Sequence, residues 1–287
     1  MSNKDGRTVV ITGASTGIGA ACALHLDRLG FRVFAGVRKP EDGLILQGNS
    51  SDRLVPITLD VTDASTIQKS HMLVSELIGT DGLYGLINNA GIAVVGPLEA
   101  VPIPDLRRQL EVNVIGQVAV TQMFLPLIRK ARGRIINMGS IAGLATMPLM
   151  GPYSASKFAL EAMTDALRLE VQQWGIHVSI IEPGAIATPI WNKSATDAAE
   201  REAGTEQELR SLYQPMIAAV RKIVGEASKR AVSADAVARV VESALTVATP
   251  RTRYLVGTDA KLRALVATLL PDRASDRLLR WILKLPH

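Results

Sequence analysis

Short runs of β-branched and other apolar residues alternate with longer helix-forming stretches along most of the 287-residue chain. Several of these runs are apolar almost throughout, as expected for strands that are covered on both faces. Strands and helices that alternate in this way are joined by right-handed βαβ crossovers, which place parallel strands in one sheet. The pattern therefore predicts an α/β chain with one doubly wound parallel sheet of about seven strands and helices on both of its faces.

The periodicity also predicts where these elements lie. Strands are expected at residues 8–12, 32–37, 54–59, 85–88, 134–138, 177–181 and 254–256. Helices are expected at residues 18–29, 64–78, 106–130, 153–174 and 234–248. Because no repeat, low-complexity tract or linker interrupts the sequence, we expect one main domain over residues 1–258.

A glycine-rich turn follows the first predicted strand and opens a helix, with residues 12–19 reading Thr-Gly-Ala-Ser-Thr-Gly-Ile-Gly. Glycines permit a tight turn and a close backbone approach, while a helix N-terminus offers free N–H groups and a positive dipole end to a phosphate. The turn is not followed by Lys-Ser or Lys-Thr, which disfavours a nucleoside-triphosphatase loop. The context predicts the pyrophosphate site of a dinucleotide in a single-domain Rossmann-type fold.

Tyr153 and Lys157 stand four residues apart at the start of a predicted helix, which places both side chains on one helix face. A nearby cation favours the phenolate and lowers the pKa of a tyrosine by roughly 1–3 units. Ser140, at the end of an apolar run, could hold the oxygen of a reacting alcohol or carbonyl beside the phenol. The alternative is a surface aromatic residue with a solvated lysine.

The end of the second predicted strand discriminates between the two nicotinamide dinucleotides. A carboxylate there binds the ribose 2′-hydroxyl of NAD, whereas an arginine accepts the 2′-phosphate of NADP. This chain has Arg38 and Lys39, which favours NADP, with NAD as the open alternative. The two basic residues could also merely solvate a loop. At the end of the third strand, Asp60 could accept a hydrogen bond from the adenine amino group.

Together these motifs resemble the short-chain dehydrogenase/reductase family, and they occur in the right order over roughly the first 190 residues. The resemblance implies that Tyr153 is the general acid/base and that Lys157 lowers its pKa and binds the nicotinamide ribose. It also implies that Ser140 holds the substrate oxygen and that Asn113 helps keep a water in a proton relay. The motifs are Thr12-Gly13-x-x-x-Gly17-Ile18-Gly19, Asp60, Asn88-Asn89-Ala90-Gly91, Asn113, Ser140, Tyr153-x-x-x-Lys157 and Pro183-Gly184-x-x-x-Thr188.

The resemblance and the strand-end arguments together predict the cofactor contacts. The backbone at Ile186, with Thr188, is implied to fix the carboxamide of the nicotinamide. The predicted cofactor-binding residues are Gly13, Ser15, Gly17, Ile18, Gly19, Arg38, Asp60, Val61, Asn89, Tyr153, Lys157, Pro183, Gly184, Ile186 and Thr188.

Within the family the chain looks most similar to retinol and hydroxysteroid dehydrogenases. The stretches 30–36, 181–184 and 249–257 carry this second resemblance. It implies an apolar, steroid- or retinoid-like alcohol or ketone as substrate, with the apolar loop 141–150 as one wall of the pocket. NAD is also common among those enzymes. A homodimer or homotetramer through the two long helices is a further expectation from the family.

Two segments fall outside the strand–helix rhythm. Residues 189–230 follow the sixth strand, where an insertion would overhang the carboxyl edge of the sheet, and we interpret them as a substrate lid. A solvated helical hairpin is the alternative. Residues 259–287 form a basic amphipathic extension, which either packs on its own domain or a subunit partner, or lies on a membrane surface.

Composition argues against several other classes of protein. The net charge of +5 is mild and only 4% of residues are aromatic, so a nucleic-acid-binding surface is not predicted. Cys22 is the only cysteine and the four histidines lack ligand spacing, so neither a disulfide nor a metal site is predicted. The N-terminus shows no signal peptide, and the longest uncharged stretch, 135–156, is broken by glycines and prolines. We therefore expect no transmembrane segment and a cytoplasmic location.

The sequence thus favours an NADP-preferring oxidoreductase that interconverts a secondary alcohol and a ketone, or an alcohol and an aldehyde, on an apolar substrate. A non-catalytic dinucleotide-binding sensor on the same fold is the alternative. The set Asn113, Ser140, Tyr153 and Lys157 argues against the sensor, because a sensor does not need groups that move a proton.

Overall fold

The computed structural model of the chain describes residues 7–204 and 206–284. The predictions for residues 1–6, including the absence of a signal peptide, lie outside the described residues, as do those for residues 285–287. The described chain contains one seven-stranded sheet with the strand order β3-β2-β1-β4-β5-β6-β7. Every neighbouring pair of strands is parallel. The predicted doubly wound, single-domain α/β fold is confirmed.

All seven predicted strands are present, with small differences at their ends. The sixth strand runs two residues further than predicted, into Pro183. The strands are β1 (Thr8–Ile11), β2 (Arg32–Val37), β3 (Leu54–Thr58), β4 (Gly85–Asn88), β5 (Arg134–Met138), β6 (His177–Pro183) and β7 (Arg253–Val256).

The five predicted helices are also present, and the structure contains further helices. The helices of the first half are α1 (Gly17–Arg28), α2 (Pro40–Gln47), α3 (Ala64–Ile78), α4 (Ile103–Leu110) and α5 (Gly116–Ala131). Those of the second half are α6 (Gly151–Val171), α7 (Ile190–Ala203), α8 (Gln207–Lys229), α9 (Ala234–Thr246), α10 (Thr258–Leu269) and α11 (Asp272–Leu283).

Two features of the helices were not predicted. Helix α2 is short and begins with Pro40, which suits the first turn of a helix, but it lacks a clear helical period. The stretch predicted as one helix over 106–130 is divided by a π-helical segment, Glu111–Ile115, that joins α4 to α5. Single π-turns of this kind are frequent at functional sites, and Asn113 lies inside this one.

The core lies in two layers, one on each face of the sheet. On one face α1 packs against α9, with Cys22, Leu26 and Val241 among the buried residues. On the other face α3 and α5 contribute buried residues that include Val74 and Phe124. Cys22 is thus a small core residue, and burial raises the pKa of its thiol to about 12. The thiol is therefore not a nucleophile at neutral pH.

The two segments that do not follow the strand–helix alternation are helical. Residues 189–230 contain α7 and α8, and the last part of the described chain contains α10 and α11. Helix α10 packs through Ala260 and Ala264 against Ile141, directly behind the loop that follows β5. The assignment of 189–230 as a lid and of 259–287 as a separate extension stays a prediction.

One helical stretch of the described chain, Ile103–Ala131, is long and apolar enough to cross a membrane by length and composition. Half of its most apolar window is buried inside the fold, and the core helix of a soluble protein passes the same test. The stretch is therefore weak evidence for a membrane span.

A buried chain of amide and hydroxyl side chains connects the sheet to α5 and α6. Asn88 of β4 donates through Nδ2 to Thr121 Oγ1 (2.8 Å) and to Asn137 Oδ1 of β5 (2.9 Å). Asn137 donates in turn through Nδ2 to Thr164 Oγ1 at 2.8 Å. Since buried polar groups are costly unless they are paired, these bonds fix the position of both helices against the strands that end at the cleft.

We expect Asn137→Ala to lower the free energy of unfolding by about 1–3 kcal/mol, because it leaves the buried Asn88 and Thr164 groups short of a partner. Asn49→Ala, which removes an exposed amide bonded to Ile45 O, is the control and should cost less than about 0.5 kcal/mol. Equilibrium urea denaturation measures both. Equal costs at the two positions would contradict a structural role for the buried chain.

Candidate active site

A cleft of about 870 Å³ opens at the carboxyl edge of the sheet. Ligands of open α/β sheets bind at this edge, at the point where the strand order reverses, which is between β1 and β4 here. Most of the predicted site residues line the cleft, namely Gly13, Ser15, Gly17, Ile18, Arg38, Asp60, Val61, Asn89, Ser140, Tyr153, Lys157, Pro183, Gly184, Ile186 and Thr188.

The glycine-rich turn is locked to the end of β4 by hydrogen bonds. Thr12 Oγ1 accepts from the backbone N–H groups of Asn89 (2.9 Å) and Ala90 (3.0 Å). Asn89 Nδ2 donates to the carbonyls of Thr12 and Gly13, both at 3.0 Å. Gly13 has a φ of +65°, and a Cβ there would lie 2.7 Å from Ala90 Cα. Only glycine therefore allows this approach.

Helix α1 begins at Gly17, so its free N–H groups and positive dipole end face the cleft beside the turn. Gly19 does not line the cleft. A Cβ on Gly19 would overlap the Gly13 carbonyl, so this glycine permits the first turn of α1 to pack against the phosphate turn. The local geometry matches what a pyrophosphate requires, namely donors that converge without side chains in between.

At the far end of the cleft, the strand ends of β2 and β3 present opposite charges. Arg38 is exposed and lines the cleft. Lys39 is the N-cap of α2 and is not among the lining residues, so the structure separates two bases that the sequence treated together. Asp60 Oδ1 accepts from Thr62 N (2.9 Å) and Thr62 Oγ1 (2.8 Å), which orients the carboxylate.

Tyr153 lies in the first turn of α6 and is buried. Its ring meets Trp191 of α7 edge to face, with the ring centroids 5.8 Å apart. Burial raises the pKa of Tyr153 above its ordinary value, and a hydrogen bond with the Ser140 side chain acts in the opposite direction. The sequence predicted a lowered pKa for Tyr153, whereas in the structure the loss of solvent around the phenol dominates and the pKa is raised.

Lys157 is buried one turn along α6 from Tyr153. Its Nζ donates to the carbonyl of Met138, the last residue of β5, at 2.7 Å. The same Nζ lies 5.8 Å from the centroid of the Tyr153 ring. Burial lowers the pKa of Lys157 to about 8, and the Glu161 carboxylate limits that fall. The ammonium thus keeps its proton at neutral pH, but by a smaller margin than an exposed lysine.

Asn113 lies behind the cleft and its side chain is fully engaged. Oδ1 accepts from Ile92 N (2.9 Å), while Nδ2 donates to Ile92 O (3.0 Å) and to Ser156 Oγ (3.1 Å). These bonds tie the loop after β4 to α6, on the helix turn that carries Tyr153 and Lys157. The amide of Asn113 therefore positions the neighbouring elements in this structure.

The loop after β6 lines the cleft, and α10 holds it in position through a hydrogen bond. Asp259 Oδ2 accepts from Ala185 N at 2.8 Å, and a Cβ on Gly184 would overlap that carboxylate. At the other end of the loop, Thr188 lies across from Gly17, so a Cβ on Gly17 would lie 3.3 Å from the Thr188 side chain. The loop thus bridges the sheet edge and the N-terminus of α1.

An apolar chamber of about 370 Å³ adjoins the cleft and shares Trp191 and Ser194 with it. Helices α7 and α8 form one side of it. The predicted wall 141–150 is formed only in part, because Leu149 and Met150 line the chamber while Leu144 packs with Ile141 and α10 instead. Leu149 has a φ of +68°, a costly conformation for this residue type.

Two residues that shape the site, Trp191 in its lining and Asp259 behind the loop after β6, were not singled out from the sequence. Trp191 belongs to a segment without strand or helix rhythm, and nothing in its neighbours indicates that it meets Tyr153. Asp259 is one of several acidic residues near a helix start, a position that usually indicates only a favourable interaction with the helix dipole. The roles of Trp191 and Asp259 become visible only in the three-dimensional contacts, not in the local sequence.

Comparisons with known proteins agree with this geometry. A sequence profile described as short chain dehydrogenase matches residues 7–199. The chain is 38% identical to retinol dehydrogenase 5 of Mus musculus, over 97% of this chain and 89% of that protein. It is 36% identical to the NADPH-dependent 3-dehydrocapnine reductase of Ornithobacterium rhinotracheale, over 95% of each. A short chain dehydrogenase from Burkholderia cenocepacia, solved in complex with NADP, superposes with a TM-score of 0.73 at 25% identity, covering 98% of this chain and 99% of that one.

We expect Asp259→Ala to loosen the loop after β6, because the Ala185 N–H loses a charged acceptor worth about 1.5–3 kcal/mol. Amide hydrogen exchange at residues 184–188 should accelerate by about tenfold or more. Asp272→Ala is the control, since Asp272 also lies in the first turn of a helix, α11. Unchanged exchange in Asp259→Ala would contradict the support that α10 gives to the loop.

Proposed function

The chain belongs to the short-chain dehydrogenase family, so it is an NAD(P)-dependent oxidoreductase, and we propose that it interconverts an apolar alcohol and its ketone or aldehyde with NADP(H). The observation that carries the proposal is the convergence of the buried Tyr153, Lys157 and Ser140 on one cleft that also contains the glycine-rich turn. This convergence argues for catalysis rather than the alternative of a sensor.

Tyr153 is the proposed general acid and base. In the reducing direction its phenol donates a proton to the carbonyl oxygen of the substrate, and in the oxidising direction the phenolate takes it back. Its burial supports this role, because a phenol out of water keeps its proton until a substrate oxygen accepts it. The Ser140 hydroxyl, whose interaction with the phenol lowers the pKa of Tyr153, is proposed to hold the same substrate oxygen.

Lys157 is the proposed source of positive charge beside the phenol. Its ammonium stabilises the phenolate in the oxidising direction and binds ribose hydroxyls of the dinucleotide. Asn113 is proposed to support the proton path from a distance, by fixing Ile92 of the loop after β4 to Ser156 of α6. This support requires no direct contact between the Asn113 amide and the substrate.

The residues present fit a nicotinamide dinucleotide. The glycines of the turn leave room where a Cβ would meet backbone, and the N-terminus of α1 faces the same space. The dinucleotide, when bound, supplies the hydride donor or acceptor. At the end of β2, Arg38 lines the cleft, and this supports NADP over NAD because its guanidinium can pair with a 2′-phosphate.

The substrate is proposed to be apolar and elongated, of the steroid or retinoid type. The chamber next to Tyr153 is lined mainly by apolar groups, among them Val95, Met150, Ala198, Ile217 and Val220. Its position under α7 and α8 supports the interpretation of 189–230 as a lid. The name of the retinol dehydrogenase relative is consistent with a substrate of this type.

We also propose that the protein is a cytoplasmic homodimer or homotetramer. The long helices carry exposed apolar side chains, with Ile115 53%, Phe158 46% and Met163 50% exposed. Large apolar side chains exposed on these helices support a surface that a partner copy would cover. For 259–287, contact with a membrane surface remains the alternative to contact with a partner.

We expect Tyr153→Phe to abolish turnover, by about a hundredfold or more, while the affinity for NADPH changes little, because only the proton donor is lost. The measurement is NADPH and NADH oxidation over ketosteroids, retinal and small aromatic ketones, with fluorescence titration of bound NADPH. Tyr254→Phe is the control, since that hydroxyl accepts from Arg251 N away from the cleft. Wild-type turnover in Tyr153→Phe would exclude the mechanism.

We expect Arg38→Asp to raise KM for NADPH by about tenfold or more and to leave KM for NADH nearly unchanged, because a charge-assisted bond to the 2′-phosphate becomes a repulsion. Lys39→Asp makes the same charge change at the neighbouring position, which is not a lining residue, and should have a much smaller effect. If both cofactors are affected equally by Arg38→Asp, Arg38 does not select the cofactor.

A further inference from the structure

A buried cluster of charged side chains lies beneath the active site, between α6 and the last two strands of the sheet. Glu182 of β6 is fully buried and Glu161 of α6 is 7% exposed. Arg253 of β7 bridges them, since its Nη2 donates to Glu161 Oε2 and its Nε donates to Glu182 Oε1 at 2.6 Å. Two carboxyl groups therefore share one guanidinium.

The hydrogen-bond pattern of the pair is incomplete in one specific way. Among the described residues, Glu161 Oε1 and Glu182 Oε2 are buried oxygens without a hydrogen-bond donor. Each is the oxygen that Arg253 does not contact. Two ionised carboxylates in this position would repel each other and leave both oxygens unsatisfied. One proton between them would remove the repulsion and satisfy both oxygens.

Burial, together with the neighbouring Glu161 carboxyl, raises the pKa of Glu182 to about 8, although Arg253 acts in the opposite direction. The proton is therefore retained at neutral pH. One negative charge then remains on the pair, and it balances the single positive charge of Arg253.

Glu161 also lies one helical turn from Lys157 on α6, at the spacing that brings two side chains together. The other charged groups around the pair are Asp165, which is 50% exposed and 3.9 Å from Arg253 Nη2, and Arg168, which pairs with Asp165. Asp259 supports the loop just after Glu182. Of these groups, Glu161 is the carboxylate that favours the charged form of Lys157.

We propose that Glu161 and Glu182 share a single proton. The carboxylate charge that remains is held in place by Arg253, and it makes Glu161 a positioning residue that keeps the Lys157 ammonium charged. The cluster thus connects the last two strands of the sheet to the proton-transfer site. The inference rests on the proposed function, because that function requires the charge on Lys157. Its tests need no substrate, so its failure is distinguishable from failure of the proposed function.

The shared proton predicts a particular pH dependence of stability. An ordinary glutamate titrates near ~4.3 in an unfolded chain, so in the wild type the folded state binds one more proton than the unfolded state between that pH and about 8. Stability from this group is therefore complete at acidic pH and is lost as pH rises toward 8. Glu182→Gln removes this dependence, because an amide can donate to Glu161 and accept from Arg253 without titrating.

We expect the melting temperature of Glu182→Gln, relative to the wild type, to rise steadily between about pH 5 and pH 8. The control is Asp165→Asn, which makes the same chemical change at the exposed edge of the cluster and should show a constant difference over this range. A constant difference for Glu182→Gln as well would exclude the shared proton.

The effect on Lys157 is measured by NMR titration of its labelled ε-carbon. We expect Glu161→Gln to lower the titration midpoint of Lys157 by about half a pH unit or more, whereas Glu182→Gln and Asp165→Asn leave it near the wild-type value. A midpoint unchanged in Glu161→Gln, or lowered in Glu182→Gln, would overturn the role of Glu161. If Glu161→Gln does not fold, the midpoint in Glu182→Gln and its melting profile still decide the inference.

Discussion

The arrangement of the site depends on the burial of one charge, the ammonium of Lys157. A buried ammonium loses its hydration, and it stays charged only if the surrounding protein replaces that hydration. The replacement comes from the Met138 carbonyl at the end of β5 and from the Glu161 carboxylate one turn along α6. Both partners are set by the fold, the first by the length of the strand and the second by the helical repeat. The electrostatics of the site therefore follow from how α6 packs on the sheet, which the buried chain through Asn137 and Thr164 determines.

The carboxyl edge of the sheet provides two different environments within one cleft. At the reversal point between β1 and β4 the backbone is exposed, and free N–H groups and glycines offer an anion site that needs no side chain. Toward β5 and β6 the lining changes to buried side chains, among them Tyr153 and Lys157. A dinucleotide has a charged pyrophosphate at its centre and an uncharged ring system at the reacting end of its reduced form. The gradient from exposed backbone to buried side chains thus matches the polarity of the molecule that the family uses.

The fold could be predicted almost completely from the sequence, because parallel strands buried on both faces produce apolar runs whose ends are easy to locate. Helix α2 was missed since a short helix that begins with proline has little periodicity. Many residues that line the cleft could also be predicted, because they follow strand ends and all strand ends share one edge. Tyr153 and Lys157 lie on α6 instead, and their spacing on one helix face is what predicted them. What could not be predicted is the set of contacts between distant segments. The pairing of Trp191 with Tyr153, of Asp259 with Ala185, and of Glu161 with Glu182 through Arg253 joins residues that are about 20 to 90 positions apart, and no local pattern encodes them.

The contact of Trp191 with Tyr153 connects the cofactor cleft to the apolar chamber. Trp191 is the second residue of α7, so its position against the phenol depends on how this helix lies over the sheet edge. The burial that raises the pKa of Tyr153 comes in part from this ring, and the chamber that adjoins it is closed by α7 and α8. A ligand that fills the chamber must contact the same helix that shields Tyr153, the proposed proton donor, from water. In the proposed function, binding of the apolar part of the substrate and protection of the proton transfer from solvent are therefore parts of one structural event, which is how binding energy distant from the reacting atoms contributes to a chemical step.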